Sequence, residues 1–316
     1  MAKYFVEDTS LTSVADAIRA KSGTTEALEF PGGFVSAVEG ITAGGGSGES
    51  DPYAELYKSI VNGTAVNVVM PSDYGEVRAG LFYDQKQLKS FDFTHVWRIR
   101  DYAFYGSGLE TVYIPKNFVD THWGAYTFAE CKSLVSVSAP NATRMYWSYS
   151  KPFANCTALK TVEMPNMTLI SRSCFTGCTA LEEISLPALV ELRDTAFSGC
   201  TMLSSVNVPL LTGISGNAFA SCTSLEFLDL PSVTTISAQG FQKSSKLNIL
   251  VLRNETLVTL ANVNAFTNTP FATNGTGGTV YVPAALIEQY RQATNWSTLY
   301  AAGTCNFVAI EGSEYE

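Results

Sequence analysis

Apolar positions recur along most of this chain in an order that a single helical or strand period does not explain. An apolar–x–apolar triplet, often closed by proline, occurs as Val68-Val69-Met70-Pro71, Val112-Tyr113-Ile114-Pro115 and Ile184-Ser185-Leu186-Pro187. It returns as Val206-Asn207-Val208-Pro209, Leu228-Asp229-Leu230-Pro231 and Val280-Tyr281-Val282-Pro283. Its period of two predicts a short strand with both apolar side chains on one face, and proline, lacking an N–H, ends that strand. A further apolar residue follows (Ile170, Leu192, Ile214, Ile236), and then a phenylalanine. The phenylalanines Phe82, Phe104, Phe128, Phe153, Phe175, Phe197, Phe219, Phe241 and Phe266 return every 22 to 25 residues. Leucine stands six residues after most of them, whereas Leu109 comes one residue early.

Self-similarity at such a period marks a stack of coils, because one coil cannot bury its own apolar side and neighbours can. The expected fold class is a mainly β solenoid of about ten short parallel strands with helical caps, spaced about 4.8 Å apart, over residues 65–283. Cysteine is part of the same rule. Cys131, Cys156, Cys178, Cys200 and Cys222 each stand three residues after a phenylalanine, and Ser107, Ser244 and Thr269 hold that position elsewhere. Zinc would need ligand pairs such as C-x2-C, which do not occur, so the expectation is a structural ladder of small, buried, free thiols and no metal.

The flanks read differently. Leu11, Val14, Ala17 and Ile18 lie at helical spacing, and "EFPGGFVSAVEGI" adds a turn and a second short helix, giving a small α-helical N-terminal module over residues 1–42. So short a module cannot hold a good core alone, so it is expected to attach to a neighbouring protein or to copies of itself. Residues 43–50 form a Gly/Ser linker, and residues 51–64 a capping helix opened by Asp51 and Pro52. Residues 284–316 are expected to cap the far end, with Leu286, Ile287 and Tyr290 facing inward and "CNFVAI" as a last strand.

"AFSGCTMLSSVNVPLLTGI" and "CFTGCTALEEISLPALVEL" resemble the BspA-like class of leucine-rich repeats almost position by position, over about residues 65–283. That resemblance implies adhesion or surface binding. The ends are similar to something more particular. "SLTSVADAIRAKSGTTEALEFPGGFVSAVEGI" resembles the opening of tail and fibre proteins of phages of Firmicutes and related gut bacteria, and "VYVPAALIEQYRQATNWSTLYA" their closing segment. The resemblance implies a virion tail or fibre protein that recognises the host surface. Residues 1–42 would then bind other tail or baseplate proteins, and the three-fold symmetry of such fibres implies a homotrimer. A bacterial surface adhesin and a purely structural decoration of the particle are the alternatives.

Composition narrows the partners. With 46% hydrophobic and 16% charged residues, a net charge of −9 and lysines and arginines scattered singly, the chain lacks the basic stripe that nucleic acid requires. No apolar run approaches the roughly 20 residues that cross a bilayer, and the first residues lack a secretory pattern. Synthesis in a cytoplasm and no membrane partner are therefore expected, and the resemblance to tail proteins implies a host cytoplasm and release in the virion.

Candidate chemistry is sparse. His95 and His122 are the only histidines, and no nucleophile motif or phosphate loop is present, so no catalytic residue and no cofactor are expected. Glu163 and Glu183 are the one carboxylate pair worth weighing as a glycosidase-like diagonal, with nothing else to support them. The middle strand positions, Asp92, Tyr113, Ser138, Glu163, Ser185, Asn207, Asp229 and Val251, read as a solvated face. Two consecutive coils, containing "KNFVDTHWGAYT" and "NATRMYWSYSKP", are each overlong by about three residues. They carry His122, Trp123, Tyr126, Tyr146, Trp147 and Tyr149, aromatic side chains suited to saccharide rings or a protein host receptor. The expectation is that they form a binding platform for a cell-surface polysaccharide; the alternative is that they pack the two insertions together.

Overall fold

The computed structural model describes residues 54–70, 72, 75–116, 123–145 and 151–316. The module of residues 1–42, the linker 43–50 and the Asp51-Pro52 helix start lie outside the described residues. From Asn67 onward the chain winds through about ten coils whose strand pairs are all parallel.

Each coil lays a three-residue strand on one face. Thr111–Tyr113 pairs with Ser136–Ser138, which pairs with Thr161–Glu163. Further along, Phe227–Asp229 pairs with Ile249–Val251 and that with Gly278–Val282. Register keeps inward against inward: Val112, Val137 and Val162 form one row, and Leu228, Leu250 and Val280 another. A one-residue slip would turn each row out to solvent, so the apolar alternation fixes the register. Beyond the proline corner lies a second face of two-residue strands, among them Glu76–Val77, Arg98–Ile99, Glu191–Leu192, Gly213–Ile214 and Thr235–Ile236. The phenylalanine turn forms the third side.

Inside that third side the nine phenylalanines make one continuous stack. Successive rings lie 5.0 to 6.0 Å apart with interplanar angles of 3 to 15°, and all are fully buried. The spacing exceeds the coil rise of about 4.8 Å, so neighbouring rings are slightly offset, as their quadrupoles prefer. Trp296 closes the stack at 6.0 Å from Phe266.

The thiols have a specific task here. Phe128 O accepts from Cys131 N–H of its own coil at 3.3 Å and from Cys156 Sγ of the next coil at 3.1 Å. The pattern repeats with Cys178 on Phe153, Cys200 on Phe175 and Cys222 on Phe197, each at 3.2 Å. Ser244 Oγ donates to Phe219 O at 2.6 Å in the same place. A buried carbonyl with two lone pairs thereby finds two donors, one within its coil and one across coils.

The turn is held open by left-handed residues on both sides of the phenylalanine. Two before it stand Gly80, Tyr102, Tyr126, Lys151, Ser173, Thr195, Asn217 and Gln239, all at positive φ. Two after it stand Asp84, Gly106, Glu130, Asn155, Gly177, Gly199, Ser221, Lys243 and Asn268, likewise. This alternation aims the N–H groups of Tyr102, Phe104 and Gly106 at the next coil, where they donate to Ala125, Thr127 and Ala129 at 2.8 to 2.9 Å. Leu109 can arrive one residue early because Gly108 passes so close to the preceding coil that a Cβ would lie 2.0 Å from Lys86 O.

Both ends of the described stack are covered. Helix Ala54–Val61 brings Ile60 into the core, and Gln85 Nε2 donates to Ile60 O at 2.5 Å. At the far end Leu286 and Tyr290 are buried, Ile287 partly so, and Trp296 Nε1 donates to Val258 O at 2.8 Å. Strand Cys305–Ala309 adds in parallel to Gly278–Val282.

Truncating one ring of the stack by Phe197→Ala should cost about 3–5 kcal/mol, read from the urea midpoint. Cys200→Ser should remain folded at a cost of about 1 kcal/mol, because serine already fills that place at Ser244. Burial pushes the Cys131 thiol up to about 11 and the Cys200 thiol up to about 12, from an ordinary 9.0. The folded state thus holds these protons more tightly than the unfolded chain. Their contribution is complete below about pH 9 and is lost as pH rises toward 11–12. The urea midpoint should fall over that window, and less steeply in Cys200→Ser.

Candidate functional site

Val77, Ile99, Ile170, Leu192, Ile214 and Ile236 each stand five residues before a phenylalanine, and each is the inward residue of the second face. Trp123 also stands five residues before Phe128, and the structure treats it the same way. It bridges Ile99 of the preceding coil, is only 2% exposed, and meets Phe153 edge-on at 6.1 Å and 69°. The expectation that Trp123 belongs to a binding platform is therefore overturned: its ring is core. His122, Tyr146, Trp147 and Tyr149 lie outside the described residues.

Tyr126 is partly exposed, and it has company that sequence reasoning missed. Its ring stacks on Tyr102 at 4.9 Å and 5°, and Tyr105 stacks on Tyr83 at 4.9 Å and 11°. Tyr102 and Tyr105 meet at 5.8 Å, joining the pairs into one cluster. The other side of Tyr126 holds Lys151, whose Nζ lies 5.5 Å from the ring centre. Tyr126 thus has both faces engaged and offers a flat sugar only its edge and hydroxyl. Tyr102 and Tyr126 sit at φ 56° and 54°, a backbone region costly for a bulky side chain, so ring stacking there works against local strain. Burial first, then Tyr126 and Asp101 nearby, raise the Tyr102 phenol above its ordinary 10.0, keeping it a hydrogen-bond donor.

An exposed indole stands at Trp97. It is 48% exposed and starts the second face of its coil, immediately before strand Arg98–Ile99. Its backbone N–H donates to Gly75 O at 2.7 Å, and its indole lies directly on the Gly75 backbone. A Cβ at Gly75 would fall 2.1 Å from Trp97 Cδ1, so only glycine permits this seat. The register aligns this column with Thr168, Val190, Thr212 and Thr234 in later coils. A tryptophan among them is the departure that could have been read in advance.

The strand face is polar and internally satisfied over much of its length. Ser138 Oγ donates to Glu163 Oε2 at 2.7 Å, Asn207 Nδ2 to Ser185 Oγ at 2.9 Å, and Arg253 makes a bidentate contact with Asp229 at 2.9 and 3.0 Å. Val251, expected on this solvated face, is instead fully buried. Near the C-terminus Tyr315 stacks on Phe227 at 5.3 Å and meets Tyr281 at 4.6 Å, spanning the strand that carries Val251. Among the described residues no group of three or more His, Cys, Asp or Glu side chains is placed to hold a metal ion.

Tryptophan emission separates the two indoles. In a Trp147→Phe background, iodide should quench a component that disappears with Trp97→Phe and persists with Trp123→Phe.

Comparison with known proteins agrees with this architecture. The family model described as BspA type leucine rich repeat region matches in six copies, over residues 61–181, 121–248 and 168–274. No curated protein matches the chain. Among solved structures, a leucine rich cell surface protein from Faecalibacterium prausnitzii A2-165 aligns with 20% identity and a TM-score of 0.42, over 67% of this chain and 59% of its own. The chain therefore spans less than two thirds of that protein's length. A leucine-rich repeat protein from Bacteroides ovatus ATCC 8483 aligns with 20% identity and a TM-score of 0.36, over 78% of this chain and 84% of its own. The pneumococcal vaccine antigen PcpA aligns with 12% identity and a TM-score of 0.27, over 77% and 78%. With the repeat model matching well over half of its residues, the chain belongs to the BspA-type leucine-rich repeat family.

Proposed function

We propose that this chain is a non-catalytic recognition protein whose solenoid binds a cell-surface polysaccharide or protein through its outer side chains. The observation that carries the reading is that exposed aromatic rings stand on all three sides of the early coils. Trp97, Tyr102 and Tyr113 are 48%, 41% and 58% exposed, while the interior is filled by stacked phenylalanines and buried thiols that meet no solvent. Exposed, rigid rings on a scaffold with little freedom to move lose little entropy on binding, which suits adhesion.

The setting we propose is a virion tail or fibre, with residues 1–42 attaching the chain to tail or baseplate proteins and assembling it as a trimer. It rests on the similarity of the two terminal segments to phage tail proteins. A display on a bacterial cell surface is the competing setting, favoured by the family's adhesive members.

Adsorption tests the function, and a protein inventory tests the setting. Purified full-length chain should bind host cells and release no new reducing ends from their envelope polysaccharide; failure to bind any cell would refute recognition, and sugar release would refute the non-catalytic reading. Mass spectrometry of purified particles should find the chain in virions. Its presence only in cell envelopes would refute the tail assignment while leaving recognition intact.

A further inference from the structure

One stretch of the strand face breaks the polar rule of the rest. The first strand position is Thr111, Ser136, Thr161, Glu183 and Ser205 on successive coils, and then Phe227 and Ile249. The third is Ser138, Glu163, Ser185, Asn207 and Asp229, and then Val251 and Tyr281. Both positions point outward, so four apolar or aromatic side chains gather on the solvent side of three consecutive coils. Tyr315 closes over them. Its ring lies 5.3 Å from Phe227 at 21° and 4.6 Å from Tyr281 at 64°. Phe227 is on the coil before Val251 and Tyr281 on the coil after, and Val251 between them is fully buried. Little else ties Tyr315 down. Ile310 N–H donates to Val282 O, and Glu311 Oε2 accepts from Ala284 N–H, after which Gly312 turns the chain at φ 78°. From there, every hydrogen bond among the described residues stays local. Ser313 Oγ donates to Ile310 O, Tyr315 N–H to Ser313 Oγ, and Gly312 N–H to Glu316 Oε2. No ion pair joins Glu314 or Glu316 to the solenoid among the described residues. A segment with so few contacts opens far more readily than the stack unfolds.

We propose that Phe227, Ile249, Val251 and Tyr281 form a seat for an aromatic side chain of a partner protein, and that Tyr315 is a tethered competitor that closes it until the partner displaces it. The site lies on the strand face of the far coils and does not rest on the recognition function proposed above. The occupant in place defines the partner's chemistry. It is a flat phenol in the segment Glu314-Tyr315-Glu316, held by one ring face and one ring edge over an aliphatic floor. The charged pair at the border, Asp229 with Arg253, is bidentate and matched, so the seat selects for a ring rather than for a charge. A pyranose suits it less well, because Ile249 and Val251 offer nothing to the hydroxyls that rim a sugar. On so short a tether Tyr315 acts at an effective concentration of about a millimolar or more. It therefore masks the seat from weak, single-ring ligands and yields to a partner that makes further contacts nearby.

The probe is the synthetic peptide IEGSEYE, which copies Ile310–Glu316, titrated to millimolar concentration against the full-length chain and followed by the NMR signals of its tyrosine ring. The Tyr315→Ala chain should bind it at least about threefold more tightly than the parent, because the tethered competitor is gone. The same peptide with alanine in place of its tyrosine should not bind. In the Tyr315→Ala background, Phe227→Ser restores the residue type that Ser205 supplies one coil earlier, so the coil keeps its strand and binding should fall at least about tenfold. Tyr281→Ala should act in the same direction. Met202→Ala removes an exposed apolar side chain elsewhere on the rod and should leave peptide binding as it was. Urea midpoints measured on each variant separate loss of the seat from loss of the fold. The proposal is overturned if the peptide binds neither chain or binds both equally, or if folded Phe227→Ser and Tyr281→Ala variants bind like their background. It is also overturned if dextran, rather than the peptide, gains affinity on removal of Tyr315, since the seat would then belong to a sugar.

Discussion

Everything in the solenoid depends on satisfying the carbonyl oxygen of each stacked phenylalanine in a place water cannot reach. The ring stack requires the turn to be dry, and dryness strands a carbonyl with two acceptor sites. The N–H three residues on fills one within the coil, and from Phe104 to Phe219 the thiol or hydroxyl of the following coil fills the other. Cysteine suits this position because it is small and apolar enough for the corner yet still carries a donor. The regular Cys spacing is thus a hydrogen-bonding device that joins one coil to its neighbour.

Because the interior is closed by such repeated contacts, specificity is left to the outward positions. The left-handed sites flanking each phenylalanine illustrate the freedom available. Small or amide residues such as Ser173 and Asn217 occupy them in the middle of the rod, whereas Tyr102 and Tyr126 occupy them near its start. On the second face of the middle coils arginine is matched by a carboxylate, Arg172 by Asp194 and Arg193 by Glu191.

Most of the fold was legible in the sequence because its determinants repeat. Triplet, proline, phenylalanine, cysteine and leucine each mark one location in a coil, and nine phenylalanines fix the register without reference to any contact. The candidate site was less legible for two physical reasons. Trp123 drew attention as an aromatic residue in an overlong coil, but its distance from Phe128 places it in the row of Ile99 and Ile170, inside. Length alone says that a coil bulges, not which of its side chains leave the core. Trp97 escaped notice because its coil is of nearly ordinary length, and the feature that exposes it is a glycine in the preceding coil, at Gly75. Val251 read as solvated because alternation reports the coil it belongs to and not the C-terminal segment, whose Tyr315 spans that strand.

The handover of each phenylalanine carbonyl to the following coil has an evolutionary corollary. The junctions from Phe104 to Phe219 use the same kind of donor, acceptor and ring, so a duplicated or deleted unit there leaves the junctions on either side chemically unchanged. Rod length can then drift by unequal recombination at little thermodynamic penalty, with the cysteine-bearing middle units the most interchangeable. The early coils, with the indole of Trp97 seated on Gly75, would keep their arrangement while the distance between them and the far end is tuned.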